Sequence, residues 1–438
     1  MHPSRRDFLS TLPLLPVAKP NGAQTVGTPE ELAAALKAAK PGALILLAAG
    51  QWQDADLLVD AQGEEASPVR VMAAEPGKTV LTGRSRLRLG GRFTTVEGVH
   101  FRECAYAGDL VQFRTSPSSL ASRCKLLDCA IVDCNPGNRE LTTRWISLYG
   151  AGNEVSRCYL AGKRNLGATV VVWLNGAPNN HRIGECWFGP RPPLGVNGGE
   201  TIRVGDSSTS MLDSMTLVEN NYFERCDGEI EAISNKSCGN IYRSNFFDRC
   251  EATLTLRHGN RCLVDGNHFF GGGSRSAGGI RVIGEGHVVI NNLLEACNGT
   301  GFRAAISVVN GLPDSPLNGY LQVKGALIAH NTLIGCAQPA VIGTNGGNAS
   351  LTLAPEQVRV AANRIGEASE FVKDGDGVPR PRTPREAAED VAEVTHDIDG
   401  QPRGRQKQAG CDEISKAPRT RRRWTADNAG PQWWPRGR

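Results

Sequence analysis

The sequence predicts an all-β, single-domain solenoid of the parallel β-helix type, capped at its N-terminal end by one short helix. Two observations predict the solenoid. Short segments of similar sequence recur along most of the chain, and the residues between them alternate between apolar and polar as strands do. No helical stripe accompanies this alternation. The composition agrees, because 51 glycines and an aromatic share of 6% favour many turns over large helices.

The recurring segment begins with Asn, Cys or, once, Val, and in its full form has a cysteine five residues later. The full form occurs at residues 99–104, 129–134, 221–226, 245–250, 292–297 and 331–336. Four residues occupy its first position alone: Cys158, Cys186, Asn267 and Asn363. Successive segments start 22 to 39 residues apart. This spacing predicts one short coil of strands per repeat, with loops of variable length inserted on one side.

The repeat also predicts how its asparagines and cysteines pack. In a stack of coils, the Asn of one coil lies beneath the Asn of the next, so buried side-chain amides can hydrogen-bond along the stack. A buried cysteine in such a column acts as a small apolar filler. We therefore interpret the thirteen cysteines as packing residues rather than as disulfides or metal ligands.

The capping helix is predicted by start signals close to the N-terminus. Thr28 is a suitable N-cap, Pro29 suits the first helical position and Glu31 the third. Leu32 and Leu36 then fall on one face, which fits a helix lying over the first coil. Residues 25–366 are thus expected to form the β-helix domain and residues 367–438 a C-terminal cap with a basic tail.

The first residues read as a targeting segment. Residues 4–9, Ser-Arg-Arg-Asp-Phe-Leu, match the twin-arginine export pattern, and a modest apolar run follows. We expect residues 1–24 to be a signal peptide, and the mature protein to be periplasmic or secreted; the alternative is a chance pair of arginines. No stretch approaches 18 uninterrupted apolar residues, so no membrane span is predicted.

The formal charge of +4 is unevenly distributed. Residues 401–438 carry ten Lys and Arg against three Asp and Glu, a local +7, which leaves −3 for residues 1–400. We expect this basic tail to be solvated and flexible. No recognised nucleic-acid-binding fold accompanies it, so nucleic acid is not an expected partner.

Charged residues on strands near the middle of the repeat form the candidate site. Glu229 and Glu231 are two apart and share one face of a strand, where two carboxylates repel unless a cation lies between them. With the amide oxygen of Asn197 from the preceding coil, they make a credible Ca²⁺ site. Arg257 and Arg281 point outward from apolar strands on the next coils. The alternative is that all of these are merely exposed charges on a solenoid.

At these residues the sequence resembles polysaccharide lyase family 6, the family of chondroitinase B and many bacterial alginate lyases. Three motifs carry the resemblance: N-G-G-E-T-I-R-V-G at 197–205, E-I-E-A-I-S-N-K-S at 229–237 and L-R-H-G-N at 256–260. The family implies a right-handed parallel β-helix that binds Ca²⁺. The resemblance implies metal ligands, catalytic residues and sugar contacts. The implied metal ligands are Asn197, Glu229 and Glu231. Lys236 is implied as the catalytic base and Arg257 as the catalytic acid. The implied sugar contacts are Arg203, His258 and Arg281.

The function expected from this resemblance is a calcium-dependent lyase that cleaves an acidic polysaccharide by β-elimination. Alginate is the expected polymer, and dermatan sulfate is the alternative within the family. A C5-epimerase would remove the same proton and return it to the opposite face. A non-catalytic glycan-binding β-helix would tolerate the loss of Lys236 or Arg257, and both are present. We expect a monomer that acts away from membranes.

Overall fold

The structure, a computed structural model, describes residues 23–387 and 389–436. Its strands form three long parallel sheets, which we call A, B and C, with 13, 12 and 11 strands. Sheet neighbours are almost all three strands apart along the chain, so the chain winds from sheet to sheet and adds one strand to each per coil. The predicted fold class, an all-β parallel β-helix with an N-terminal capping helix, is confirmed.

The bounds of the elements follow by sheet. Sheet A contains β1 (Gln24–Val26), β2 (Leu44–Leu47), β5 (Val69–Ala73), β8 (Thr94–Glu97), β11 (Lys125–Leu127), β14 (Glu154–Ser156), β17 (Arg182–Gly184), β20 (Leu217–Glu219), β23 (Ile241–Arg243), β26 (Leu263–Asp265), β29 (Val288–Ile290), β32 (Leu327–Ala329) and β35 (Arg359–Ala361). Sheet B contains β3 (Gly50–Gln53), β6 (Thr79–Thr82), β9 (His100–Arg102), β12 (Ala130–Val132), β15 (Tyr159–Ala161), β18 (Trp187–Phe188), β21 (Tyr222–Glu224), β24 (Phe246–Asp248), β27 (His268–Phe270), β30 (Leu293–Glu295), β33 (Thr332–Ile334) and β36 (Arg364–Gly366). Sheet C contains β4 (Asp56–Gln62), β7 (Arg86–Arg92), β10 (Val111–Gln112), β13 (Ile146–Leu148), β16 (Val170–Val172), β19 (Ile202–Gly205), β22 (Glu231–Lys236), β25 (Thr253–His258), β28 (Ile280–Val282), β31 (Ile306–Val309) and β34 (Ala340–Thr344). The remaining elements are α1 (Pro29–Ala38), three 3₁₀ turns (Ser207–Thr209, Gly301–Arg303 and Ala368–Glu370) and the antiparallel pair β37 (Phe371–Lys373) and β38 (Pro379–Pro381).

Helix α1 caps the first coil as its start signals predict. The Thr28 hydroxyl accepts a hydrogen bond from the Glu31 backbone N–H at 3.2 Å, and the Glu31 carboxylate accepts one from Gly27 N–H at 2.6 Å. These bonds satisfy donors that the first helical turn leaves unpaired. The helix buries Leu32 and Leu36 against the first coil, so the N-terminal end of the core is closed.

The repeated asparagines form a continuous ladder inside the solenoid. In each step, the side-chain N–H of one Asn donates to the amide oxygen of the Asn on the next coil, at 2.9–3.0 Å. The ladder residues are Asn221, Asn245, Asn267, Asn292, Asn331 and Asn363. The residue before each of them has a positive φ, which makes the sharp turn between sheets A and B. The ladder therefore satisfies buried polar groups at the same turn of every coil.

Apolar columns complete the core and confirm the interpretation of the cysteines. Four phenylalanines on sheet B stack face to face with ring centroids 4.4–4.8 Å apart: Phe188, Phe223, Phe247 and Phe269. All thirteen cysteines are free thiols, and all but Cys336 are buried. They fill space between coils rather than cross-link them.

The C-terminal segment, described at residues 367–387 and 389–436, packs as a strap along the solenoid, and the expectation of a flexible, solvated tail is wrong. The strap runs back along the solenoid toward its start. Cys411 N–H bonds to Thr332 at 2.8 Å, Arg421 pairs with Asp265 at 2.9 Å, and Gly430 N–H bonds to the Glu185 carbonyl at 2.8 Å. The tail is held because Arg421 pairs with an acid of the coils and Arg419 pairs with acids of the C-terminal segment itself, which a charge count alone does not show.

The tryptophans of the strap pack on early and middle coils rather than on the last one. Trp424 lies in a buried aromatic cluster with Trp187 and Phe246. The Trp433 indole N–H donates to the Asp128 carbonyl at 2.8 Å, and Trp434 contacts Tyr159 with ring centroids 4.5 Å apart. The strap thereby covers the aromatic outer face of sheet B.

The predicted signal peptide, residues 1–24, lies outside the described residues except for its last two. Within residues 23–387 and 389–436, no helix has the length and apolarity needed to cross a membrane.

We predict that Asn267→Ala lowers the free energy of unfolding by about 2–4 kcal/mol, because the backbone and side-chain N–H groups of Asn245 both donate to Asn267 and would be left buried without an acceptor. Guanidinium unfolding measures this loss. The exposed Asn348→Ala serves as control and should change stability by less than about 0.5 kcal/mol. Equal effects of the two substitutions would show that the ladder does not stabilise the fold.

Candidate active site

The candidate site lies on the outer face of sheet C, across β19, β22, β25 and β28. The register places Arg203, Ser234, Thr255 and Arg281 in one outward column. Arg203 and Arg281 are therefore separated by the small side chains of Ser234 and Thr255, which leave space above the sheet between the two arginines. Lys236 lies two residues beyond Ser234, in the next column, where its neighbours are Gly205 and His258.

The two predicted acidic ligands come from the turn before β22 and from its first residue. Glu231 begins the strand next to a register shift, and Glu229 precedes it. The Gly198 backbone N–H donates to Glu229 Oε2 at 3.2 Å. Asn197, the predicted amide ligand, is the exposed residue directly before that glycine. The three predicted ligands are thus brought to one corner of the sheet.

Glycines allow the two turns that carry these ligands to touch. A Cβ atom on Gly199 would lie 2.3 Å from the Gly228 carbonyl oxygen. A larger residue at position 199 would therefore push apart the turn that contains Gly199 and the turn that contains Gly228. The buried Arg191 guanidinium braces the same region. It donates to the Glu200 carbonyl at 2.6 Å and to the Gly167 carbonyl at 3.0 Å.

Glu200 is a third carboxylate in the site, and sequence reasoning missed it. Its side chain is 4% exposed, Oε1 lies 3.9 Å from Lys236 Nζ, and Oε2 is buried without a hydrogen-bond partner in the described part of the chain. Burial, Glu200 and Glu231 together raise the pKa of Glu229 to about 8. Glu200 stands in the N-G-G-E motif, but the strand alternation that singled out Glu229 and Glu231 does not apply in a glycine turn.

Glu231 faces the two arginines of the later coils. Its Oε1 pairs with Arg281 and lies 4.0 Å from Arg257 Nε. Among residues 23–387 and 389–436, no three His, Cys, Asp or Glu side chains lie close enough to form a metal centre by themselves. A cation at this corner would therefore need a further oxygen donor besides these carboxylates, and the amide of Asn197 is the predicted one. Together with the unpartnered Oε2 of Glu200, this set fits a hard cation such as Ca²⁺.

Arg257 and His258, at the end of β25, are covered by a loop. Arg257 donates to the Gly319 and Asn318 carbonyls, and its guanidinium lies 4.1 Å from the centroid of the Tyr320 ring. His258 is 2% exposed and lies 3.3 Å from the Ser207 hydroxyl. Burial lowers the pKa of His258 to about 3, so its imidazole is neutral at neutral pH.

The predicted sugar-binding residues differ in exposure. Arg203 is half-buried, with its guanidinium 5.0 Å from the centroid of the Trp173 ring system. Arg281 is 2% exposed and lies beneath Phe302, 5.3 Å from its ring centroid. The outward direction expected for Arg281 is correct for the strand, but the loop and Glu231 cover the side chain. Direct contact of Arg203, His258 and Arg281 with a sugar stays a prediction.

Comparisons with known proteins show which family the chain belongs to. The family model described as Chondroitinase B matches residues 26–365. A PL6 family alginate lyase, AlyGC, is similar in structure with a TM-score of 0.81 and 35% identity, over 95% of this chain and 59% of that one. A mannuronic acid specific family 6 lyase from human gut microbiota has a TM-score of 0.72 and 30% identity, over 79% of this chain and 82% of that one.

A third solved structure shows the fold alone. The family 6 lyase Pedsa3628 from Pseudopedobacter saltans is 24% identical with a TM-score of 0.73, over 94% of this chain and 99% of that one. No curated protein sequence matches the chain. The chain thus spans 59% of the length of AlyGC and nearly the whole of Pedsa3628. Because the chondroitinase B model covers most of the chain, the protein belongs to polysaccharide lyase family 6.

Proposed function

We propose that the protein is a calcium-dependent polysaccharide lyase that cleaves the 1,4-glycosidic bond of a uronate polymer, with alginate as its substrate. The observation that carries this proposal is the position of Lys236. Its amine lies on the outer face of sheet C, 3.9 Å from Glu200 Oε1 and close to Glu229, and Glu231 of the same strand lies 4.0 Å from Arg257 Nε. A base and a cationic group beside a candidate cation site are the parts that β-elimination from a uronate requires.

In this reaction the lone pair of neutral Lys236 Nζ takes the C5 proton of a uronate. The electron pair of the C5–H bond forms the C4=C5 double bond, and the C4–O4 bond breaks. The departing O4 takes the electron pair of that bond, is stabilised by the Arg257 guanidinium, and takes up a proton from Arg257 or from water. The products are a new chain end and an unsaturated uronate.

The C5 proton is only weakly acidic, so the charge that develops on the C6 carboxylate must be stabilised. Asn197, Glu229 and Glu231 would hold a Ca²⁺ ion, with Glu200 as a further oxygen donor. When bound, the ion would neutralise the substrate carboxylate and make the C5 proton more acidic. Glu229 shares its corner with two other acids, so a divalent cation would relieve their mutual repulsion.

The choice of alginate is supported by the relatives. The AlyGC structure is titled as an alginate lyase, and that of the gut relative as mannuronic acid specific. The family model carries the name of chondroitinase B, so dermatan sulfate is the second substrate to assay. A sulfated polymer would favour a broad basic surface, whereas residues 1–400 carry a net charge of −3.

The cellular setting is also a proposal. A twin-arginine signal at residues 1–24 would deliver the folded protein to the periplasm or beyond, where it would meet polysaccharide as a monomer. Free, buried cysteines are compatible with this route because they require no oxidative pairing.

We predict that Lys236→Ala lowers the rate of β-elimination by about 10²–10⁴-fold, because the C5 proton loses its acceptor. The measurement is the ultraviolet absorbance of unsaturated uronate, with alginate, poly-mannuronate, poly-guluronate and dermatan sulfate as substrates. Lys78→Ala, which removes an exposed lysine away from sheet C, is the control and should keep the wild-type rate. An undiminished rate in Lys236→Ala would rule out this lysine as the base, and a wild-type protein inactive on all four polymers would rule out the lyase.

We predict that a chelator abolishes activity and that added Ca²⁺ restores it. Glu229→Gln should weaken Ca²⁺ binding about tenfold or more, because an amide replaces a charged ligand of nearly the same size. Isothermal calorimetry measures this binding without reference to turnover. Glu75→Gln, a change at an exposed site, should bind Ca²⁺ as the wild type does. Full activity in the presence of the chelator would contradict the assignment of calcium.

A further inference from the structure

A row of aromatic and basic side chains continues the outer face of sheet C from Lys236 toward the N-terminal coils. Gly205 is the neighbour of Lys236 on β19 and has no side chain. On the coils before it, one residue beyond β16 and β13, stand Trp173 and Tyr149. Their rings are stacked, with centroids 6.0 Å apart and planes 9° from parallel. The row lies in register with the proposed base and on the same face.

Three guanidinium groups rest on these rings. The Arg114 guanidinium lies 3.8 Å from the centroid of the Tyr149 ring, and those of Arg144 and Arg203 lie 5.1 and 5.0 Å from the centroid of Trp173. These distances are within the range of cation–π attraction. The guanidinium groups are therefore held at two neighbouring rings of this face, Arg144 and Arg203 at Trp173 and Arg114 at Tyr149.

The aromatic support is itself held in place. The Trp173 indole N–H donates to the Ser147 hydroxyl at 3.2 Å, and that hydroxyl donates to Asp109 at 2.8 Å. Fixing a long cationic side chain before a ligand arrives reduces the conformational entropy lost on binding.

The three arginines of the row carry more positive charge than the one acidic side chain bonded to them, Asp109, can neutralise. Asp109 accepts from Arg144 Nη1 at 3.4 Å, and Arg114 Nε donates to the uncharged Gln112 amide at 3.3 Å. Arg144 Nε and Arg203 Nε are buried without a hydrogen-bond partner in the described residues. The side chains of Arg114, Arg144 and Arg203 are each partly exposed, so their solvent-facing N–H groups are suited to bind carboxylates from outside the protein.

The opposite direction from Lys236 is more crowded. Phe302 and Tyr320 stack with ring centroids 5.9 Å apart, and they cover Arg281 and Arg257. Residues 318 and 319 add two carbonyl groups that accept from Arg257. These groups occupy the face on the C-terminal side of Lys236, so the N-terminal coils are the more open direction for a long polymer.

We propose that Arg114, Arg144 and Arg203, held on Tyr149 and Trp173, form additional subsites that bind the carboxylates of successive uronates on the N-terminal side of the cleaved bond. Strands of a sheet are about 4.8 Å apart, a distance comparable to the advance of the chain per 1,4-linked sugar. The polymer thus runs parallel to the solenoid axis. This inference rests on the proposed function, because Lys236 marks the cleaved bond.

The test is the dependence of kinetics on substrate length. Arg114→Gln, alone and with Arg144→Gln, should raise KM for long oligouronates about tenfold per arginine and leave kcat within about twofold, because each substitution removes one charge-assisted contact to a substrate carboxylate. For the shortest oligouronate that is cleaved, kcat/KM should be unchanged in Arg114→Gln. Arg70→Gln, on sheet A, is the control and should match the wild type at every length.

A loss of kcat/KM that is the same at all lengths would show a structural role for these arginines and overturn the proposal, as would no change at any length. Calorimetry of oligouronates binding to Lys236→Ala tests the row without turnover. There, adding Arg114→Gln should weaken the binding of long oligouronates about tenfold, and unchanged affinity would overturn the proposal. Inactivity of the wild type would contradict the lyase function, while this binding measurement would still decide the role of the row.

Discussion

The in-register stacking of coils is the constraint on which the rest of the structure depends. Each coil adds one strand to each sheet, so residues 22 to 39 positions apart become direct neighbours. The asparagine ladder satisfies the buried turn of each coil and would leave donors unpaired if one coil slipped by a single residue. The same register brings Arg203, Ser234, Thr255 and Arg281 into one column on the outside. The same register of the coils therefore determines both the packing of the core and the arrangement of the candidate site.

The repeating parts of the molecule could be predicted from the sequence, because residues at the same position of successive repeats become neighbours when the coils stack. Asn267 and Asn292 share a position in the repeat, and their side chains bond as expected. Strand alternation likewise predicted the outward direction of Arg281, which lies between the buried Ile280 and Val282 on β28. Helix α1 was predictable because its cap is local, with every signal within four residues of Thr28.

Parts that do not repeat were not predictable in this way. Glu200 lies in a glycine turn whose position is set by contacts with Gly228 and Arg191, and no periodicity reports those contacts. The loop around Gly319 reaches Arg257 across more than sixty residues, so the depth at which the guanidinium lies follows from folding and not from spacing. The strap reaches back along the solenoid through ion pairs such as Arg421 with Asp265, and a count of basic residues suggests a free tail instead.

The candidate site concentrates charges of both signs in a partly buried corner. Glu200, Glu229 and Glu231 repel one another, while Lys236, Arg257 and Arg281 surround them on the neighbouring strands. Such an arrangement costs folding free energy and is retained where it binds a charged ligand. The row of arginines on Tyr149 and Trp173 extends the positive side along the face, and Phe302 and Tyr320, from the loops before and after β31, cover the other side. The face is therefore more open toward the N-terminal coils.

The central claim is that a cation and a uronate meet at Lys236 on sheet C. A crystal structure of the Lys236→Ala variant, grown with Ca²⁺ and an alginate oligosaccharide, tests it most directly. We expect a cation bound by Asn197, Glu229 and Glu231 that also contacts a substrate carboxylate, with C5 of that sugar facing position 236. An oligosaccharide bound on another face, or bound here without a cation between the carboxylates and the sugar, would contradict it.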